Sequence, residues 1–440
     1  MEEKMSSLSG HRVKFAKEFT AVYLRKDYKG VFMDKVPYET ETPTIPRGEE
    51  FLIGVGALKK MHSPDIEIIC DGDIATVDFT VYTNQTPQEQ ISRQWYFVQG
   101  PKHHCELKVG SREAVVDGRK TELLAEPEEM DGVIYLPYIS LMKAMGASAY
   151  SYRGKMTAVS FEDGFTFDSS STRLFRYYNM VLRNKVYGDV YGCFWFEAGR
   201  RLIPYRLYIP TSYRPDQPHK AIFYFHGGGG NEDAMFERTM DYAQEAAQRH
   251  GFVLVGTNGY IRSSFYGSLV PIIQTLDAID PEQVDYDNPE GWPEETVRLR
   301  QLSLECIHEE MEEIFKKVNL DKDNLFATGN SAGSVACMHF ALNEPELFNG
   351  ICPTGGFINY NFYDLEKFKA LHGDDYMMHI VGTEDDHGFD FLLRGHEKLE
   401  ELGIRYQKVI IGGGNHSNAW VKPGSIDVMM DFFNHKTRGK

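Results

Sequence analysis

The pentapeptide Gly329-Asn330-Ser331-Ala332-Gly333 has the residue types of an acyl-transfer nucleophile. A serine hydroxyl needs a base within hydrogen-bond reach, and the base needs an orienting carboxylate. The apolar run before this motif, residues 325–328, reads as a strand, and residues 332–342 read as a helix. A sharp strand-to-helix turn lifts the serine above a sheet, and small neighbours let the backbone pass. A second run, His226-Gly227-Gly228-Gly229-Gly230, directly follows an apolar stretch at 221–225. Glycine lets backbone N–H groups approach an oxygen closely, so this loop suits a developing oxyanion. The candidate donors are the amides of Gly227 or Gly228 and of Ala332. No Lys-Ser/Thr follows the glycines, which rules out a phosphate loop. His226 reads as structural.

Where a serine sits on such a strand-to-helix elbow, the acid and the base follow just after later strands, in the order serine, acid, histidine. The stretch 377–381 reads as a strand and leads into Gly382-Thr383-Glu384-Asp385-Asp386-His387. Asp385 is the candidate acid and Asp386 its rival; Asp374 and Asp375 precede the strand and fall at the wrong edge. The stretch 406–411 leads into Gly412-Gly413-Gly414-Asn415-His416, so His416 is the candidate base, and His387 comes too early. Tyr260, Trp292 and Trp420 are candidates for the substrate rim. The long loop 261–292 carries Phe265, Tyr266 and Trp292 among Asp277, Asp280, Asp285 and Asp287. It suits a lid over an aromatic or sugar ester and equally a solvated excursion.

No metal or other cofactor is expected. In His103-His104-Cys105, neighbours on a strand point to opposite faces. His308-Glu309-Glu310-Met311-Glu312 lacks the second histidine of a zinc protease helix. The six cysteines form no C-x-x-C pair and read as free thiols.

The elements that must hold these residues alternate. Strands are expected at 193–197, 202–209, 221–225, 252–256, 325–328, 350–352, 377–381 and 406–411. Helices are expected at 233–250, 294–318, 332–342 and 391–402. Such alternation predicts an α/β class, with a mainly parallel central sheet and helices on both faces. Chemistry in such sheets sits at the carboxyl ends of the strands. Five pieces carry a family likeness: Tyr224-Phe225-His226-Gly227, Asn258-Gly259-Tyr260, the serine motif from Ala327 to Gly333, Gly382-Thr383-Glu384-Asp385, and Gly414-Asn415-His416 with Trp420. On them, residues 174–440 resemble the polyhydroxybutyrate depolymerase-like and feruloyl or acetylxylan esterase group of α/β-hydrolases. The resemblance implies the α/β-hydrolase fold, a Ser331-Asp385-His416 triad, and hydrolysis of feruloyl, acetyl or hydroxyalkanoate-type carboxylic esters through an acyl-enzyme without a cofactor. The chain departs from that group at Ser334-Val335, where a second glycine is common, and in its longer, more acidic loop 261–292. The departures leave the acyl and alcohol groups open.

The first third contains a repeat. Val31-Phe32-Met33-Asp34 matches Ala114-Val115-Val116-Asp117, Phe51-Leu52-Ile53 matches Ile134-Tyr135-Leu136, and residues 72–79 match 154–161. A nearly constant offset is the mark of duplication. Each copy predicts short strands and one short helix, at 55–61 and 139–145. The second copy resembles the copper amine oxidase N-terminal-like domain, a small α+β module, through Val116-Asp117-Gly118-Arg119 and residues 132–137. The expected domains are 1–103, 104–165, a linker at 166–173, and the hydrolase part at 174–440.

A formal charge of −17 without a basic run disfavours nucleic acid and anionic lipid as partners. No stretch is long and apolar enough to span a bilayer, and residues 1–10 have no apolar signal region, so a cytoplasmic location is expected; a secreted form with its signal removed would read the same. The expected partners are an ester, small or polymeric, and a second copy of the chain through the N-terminal modules. Two rival functions are a peptidase of the prolyl oligopeptidase type and a binding protein on a hydrolase scaffold. The first calls for a propeller, for which the repeats are too few. The second is disfavoured by the intact serine, acid, histidine and glycine set.

Overall fold

Two-residue turns rich in Asp and Gly join short alternating runs in the first third of the chain, a pattern that dictates hairpins. The computed structural model describes residues 15–84, 97–162, 165, 187–261, 265–268, 294–355, 364–385 and 389–438. By its internal contacts the chain forms two units. The first holds Met1–Lys14, Glu18–Arg183 and Tyr191–Ile203; the second holds Phe15–Lys17, Asn184–Val190 and Pro204–Lys440. The expected linker lies outside the described residues.

In the first unit each copy of the repeat has a leading strand, two hairpins, a helix and a third hairpin. The first copy runs β1 (Val22–Arg25), β2 (Val31–Met33), β3 (Val36–Tyr38), β4 (Ile45–Arg47), β5 (Glu50–Gly54), α1 (Val55–Met61), β6 (Ile66–Asp71) and β7 (Ile74–Asn84). The second runs β8 (Phe97–Lys108), β9 (Glu113–Val116), β10 (Arg119–Glu122), β11 (Glu128–Met130), β12 (Val133–Pro137), α2 (Tyr138–Ala144), β13 (Ser148–Tyr152) and β14 (Met156–Ser160). Registers repeat as well: Val22 faces Met33 as Cys105 faces Val116, and Ile45 faces Leu52 as Glu128 faces Tyr135.

The copies are not separate modules, because they exchange their third hairpins. Five-stranded sheets run β13-β14-β1-β2-β3 and β10-β9-β8-β7-β6, and the central sheet β11-β12-β5-β4 joins the copies through antiparallel β5 and β12. Val159 of the second copy faces Val22 of the first, and Val77 of the first faces Cys105 of the second. The expected boundary at 103/104 falls inside β8 for this reason. One apolar core draws on both copies, with Leu58, Val77, Leu136 and Leu141 fully shielded from solvent. All three sheets are antiparallel, so the chain as a whole has far more antiparallel pairing than the α/β expectation implied.

Parallel pairing belongs to the second unit. Its elements are β15 (Gly188–Phe196), β16 (Arg201–Ile209), β17 (His219–Phe225), α3 (Ala234–Arg238), α4 (Tyr242–His250), β18 (Val253–Gly256), α5 (Glu294–Lys317), β19 (Leu320–Asn330), α6 (Ala332–Asn343), β20 (Ile351–Thr354), α7 (Leu365–His372), β21 (Met378–Glu384), α8 (Phe389–Glu401), β22 (Gln407–Asn415) and α9 (Pro423–Lys436). Of β15 and β16, residues Tyr191–Ile203 group with the first unit. The sheet order is β15-β16-β18-β17-β19-β20-β21-β22. β16 meets β18 antiparallel, and every pairing from β18 through β22 is parallel.

The period-two alternation of β17 shows how the sheet is covered. Ile222 and Tyr224 point into a core with Phe236 of α3, Ala246 of α4 and Met430 and Phe433 of α9. Phe223 and Phe225 point the other way, onto Phe315 of α5 and Phe340 of α6. Helices thus cover both faces, and the serine, acid and histidine candidates are left at the carboxyl ends of strands. The expected helix 233–250 is two helices, broken where Met240 and Asp241 take φ of 50° and 66°. The helices α7 and α9 lie outside the sequence expectation.

Candidate active site

Six consecutive segments at the carboxyl ends of β17 to β22 supply the polar groups. β19 leads into Ser331, whose φ of 56° and ψ of −115° lie outside the regions open to ordinary residues. Strain of this kind costs about 1–3 kcal/mol and persists only where neighbours impose it. Here the Ser331 amide donates to the Thr354 carbonyl at 3.1 Å, and the Ser334 hydroxyl donates to the Ser331 carbonyl at 2.6 Å. Gly333 completes the turn: a methyl group there would stand 1.9 Å from the Phe225 carbonyl oxygen, so no side chain fits. Ser331 is half-buried.

Asp385 and His416 follow β21 and β22. The His416 Nδ1 lies 3.0 and 3.1 Å from the two carboxylate oxygens of Asp385. A carboxylate only accepts, so Nδ1 carries the proton and Nε2 is the nitrogen able to take another. Both groups are buried, at 5% and 8% exposure, where water competes little for the bond. Their loop meets the serine loop at Gly355. A methyl group on Gly355 would lie 2.7 Å from Asn330 Oδ1, 3.1 Å from the His416 carbonyl and 3.6 Å from Asp385 Oδ2. The motif, the acid and the histidine therefore converge on the end of β20, which the sequence did not single out.

The glycine loop lies against the serine: a methyl group on Gly227 would stand 3.3 Å from Ser331 Cβ. His226 organises it. Its Nδ1 donates to the Gly227 carbonyl at 2.8 Å, its Nε2 accepts the Gly259 amide at 3.0 Å, and its own amide donates to the Tyr266 hydroxyl at 2.7 Å. These partners fix the neutral Nδ1-protonated tautomer, in keeping with a structural role. The Gly227 carbonyl also takes the Gly230 amide at 2.9 Å. The N–H of Gly228 lies trans to that held carbonyl and so points the opposite way. Ala332 opens α6, where first-turn amides have no intrahelical partner.

Beneath these loops lies a charged cluster without a sequence signal. Glu232 and Glu310 are fully buried, and burial pushes both carboxyls above their ordinary range. The Asn258 amide donates to both oxygens of Glu310 at 3.1 Å, and its side chain donates to Glu232 at 2.8 Å. Lys17 contacts Glu232 and reaches Asp233 at 3.3 Å.

The rim candidates fare differently. Tyr260 is 5% exposed, with its ring edge-on to Phe15 at 5.3 Å. Trp420 is 3% exposed and stacks on Tyr224 within the core, so it is no rim residue. Trp292, Asp386 and His387 lie outside the described residues. Asp374 and Asp375 precede β21 and pair with Arg405. His103 and His104 pair with Asp117 and Asp78, and no group of three potential metal ligands occurs among the described residues. No helix of the described residues is long and apolar enough to cross a membrane.

No family model matches the chain, and no curated protein matches it. The chain is similar to solved structures of serine hydrolases and esterases. One is a fluorophosphonate-binding serine hydrolase of Staphylococcus aureus, at 13% identity over 57% of this chain and 99% of that one, with a TM-score of 0.43. A second is an S-formylglutathione hydrolase from Agrobacterium tumefaciens, at 13% over 56% and 95%, TM-score 0.42. A third is a ferulic acid esterase from the fungus Anaeromyces mucronatus, at 14% over 56% and 91%, TM-score 0.41.

Proposed function

We propose that the second unit is an α/β-hydrolase and that the chain is a serine carboxylester hydrolase. The observation that carries this is the buried Asp385–His416 pair at the ends of adjacent strands, with a strained Ser331 on the turn after β19. His416 Nε2 takes the proton as Ser331 Oγ attacks the ester carbonyl. Asp385 holds the tautomer and stabilises the imidazolium. The amides of Gly228 and Ala332 take the oxyanion, and the held carbonyl of Gly227 favours Gly228 over Gly227 as the loop donor. The imidazolium then protonates the leaving alcohol, and water, deprotonated by His416, releases the acid from the acyl-enzyme. The substrates expected are feruloyl, acetyl or hydroxyalkanoate-type esters.

Hydrolysis of nitrophenyl esters of increasing chain length tests the reading, with Ser331→Ala beside the wild type. Ser331→Ala is expected to lose at least about a thousandfold in kcat, since nucleophile and base act as a unit. A fluorophosphonate should label the wild type at Ser331 and leave Ser331→Ala unlabelled. Labelling that persists in the variant sinks the assignment.

A further inference from the structure

The short segment Phe15–Lys17 groups with the second unit, whereas from Glu18 the chain belongs to the first. Phe15 forms an antiparallel bridge with Ile261 and packs its ring edge-on to Tyr260. Two residues on, Lys17 enters the buried acidic cluster. Its side chain is 7% exposed, and it contacts Glu232, whose side chain is fully buried, and Asp233. Asp233 also meets Arg206 at 3.2 Å, and Arg206 meets Asp189 at 2.8 Å.

We propose that Lys17 is a positioning residue of the hydrolase site, holding the oxyanion loop from beneath through Glu232, Asn258 and His226. The path is continuous. Lys17 fixes the Glu232 carboxylate, which accepts from the Asn258 side chain at 2.8 Å. The next amide, that of Gly259, donates to His226 Nε2 at 3.0 Å, and His226 Nδ1 holds the Gly227 carbonyl at 2.8 Å. That carbonyl orients the amide of Gly228, the residue after Gly227, which itself lies against Ser331. Charge explains why a lysine belongs there. Asn258 bridges the buried Glu232 and Glu310, Asp233 shares Lys17 with Glu232, and Lys17 and Arg206 bring positive charge to these carboxylates. A buried carboxylate whose partner is removed takes up a proton or draws in water, and either response displaces what it was holding.

The inference rests on the esterase reading for its kinetic consequence but not for its structural one, so the test has two arms. The full-length chain is compared as wild type, Lys17→Met, Lys17→Arg and Phe15→Ala. In nitrophenyl acetate hydrolysis, normalised to active sites by the fluorophosphonate, Lys17→Met is expected to lose at least about tenfold in kcat, the cost of one misplaced oxyanion donor being larger still. KM should stay within about threefold, because the donor acts on the transition state. Lys17→Arg should recover to within about threefold, and Phe15→Ala should lose less than Lys17→Met. In the second arm, amide exchange at 226–230 and 257–261 should quicken at least about tenfold in Lys17→Met, whether or not the wild type hydrolyses esters. A folded Lys17→Met with wild-type kcat, or with unchanged exchange in those loops, overturns the proposal. If Lys17→Met does not fold, Phe15→Ala carries both readouts, and wild-type values in it overturn the proposal equally. A wild type without serine-dependent hydrolysis removes the esterase reading and leaves the exchange arm to decide on Lys17.

Discussion

In the first unit the Asp34 carboxylate accepts the Ala21 amide at 3.0 Å, and its counterpart Asp117 accepts the His104 amide at 2.9 Å. Both aspartates take φ near 50° at a hairpin turn. In the second unit the tight contacts occur once each: Gly333 on the Phe225 carbonyl, Gly355 between Asn330 and His416, His226 between Gly227 and Gly259. Repeated contacts are the ones any copy needs in order to pair its hairpins. Contacts made once serve a single place, and these three lie at the carboxyl ends of β17 to β20.

The sharpest way to break the contrast is at a contact made once. Asp385→Asn preserves shape but cannot accept from His416 Nδ1–H through both oxygens, so the imidazole loses its enforced tautomer. The expected loss is about a thousandfold or more in kcat, with the melting temperature within a few degrees of wild type. Steady-state hydrolysis and a thermal scan on the same sample decide it. Near-normal turnover would move the acid elsewhere, with Asp386 the first candidate.

Inside the first unit the duplication offers its own contrast. The outer face of the sheet containing β1 carries Ala21, Tyr23, Phe32, Met156 and Ala158, all buried. At the equivalent places the sheet containing β8 carries His104, Glu106, Val115, Ile74 and Thr76, and of these His104 is about half exposed while Ile74 is 45% exposed. The hydrogen-bonded frame is the same and the burial is not. Phe32→Asp places a carboxylate at a fully shielded position and should cost about 3–5 kcal/mol, from lost packing and uncompensated burial. Val115→Asp, at the half-buried counterpart, should cost less than about 1 kcal/mol. Urea unfolding of both variants measures the gap, and equal midpoints would mean that the two faces are equally covered in solution.

What the sequence made legible follows the same division. The placement of Ser331, Asp385 and His416 just after strands was readable because each follows an apolar run and glycines mark the turns. The repeat was readable from its offset. The hairpin exchange was not, since the pairing of β14 with β1 is made across more than a hundred residues and no local pattern encodes it. The end of β20 went unnoticed because Thr354 and Gly355 act through backbone and small size rather than reactive groups. Lys17, Glu232 and Glu310 look like ordinary surface charges until burial is known. The break at Met240-Asp241 has neither glycine nor proline to announce it. The helix α9 did have a signal, with Ile426, Met429, Met430 and Phe433 at helical spacing behind a proline at its start. Trp420 is an aromatic residue beside the candidate base in sequence, and its stacking on Tyr224 shows that it is there for the core.

The smallest expected effect tests whether the duplicated turns are equivalent in energy as well as in geometry. Asp34 accepts from the Thr20 amide, the Thr20 hydroxyl and the Ala21 amide, whereas Asp117 accepts from the His104 amide and from His103 Nδ1. Replacing either by alanine also puts a side chain that disfavours positive φ at the turn. Each substitution should cost about 1–2 kcal/mol, with Asp34→Ala the larger because its partners are backbone and hydroxyl groups in a less exposed place. The two should differ in pH dependence. The hydrogen bond from His103, followed by that from the His104 amide, holds the Asp117 carboxyl below its ordinary range. A depressed carboxyl contributes stability that is present above its unfolded value and lost as pH falls through the folded one. The gap between wild type and Asp117→Ala should therefore narrow as pH falls below the usual carboxylate range, in urea titrations run from neutral to acid. A gap that is constant with pH would assign the whole cost of Asp117→Ala to the backbone at positive φ and leave the carboxylate without a share.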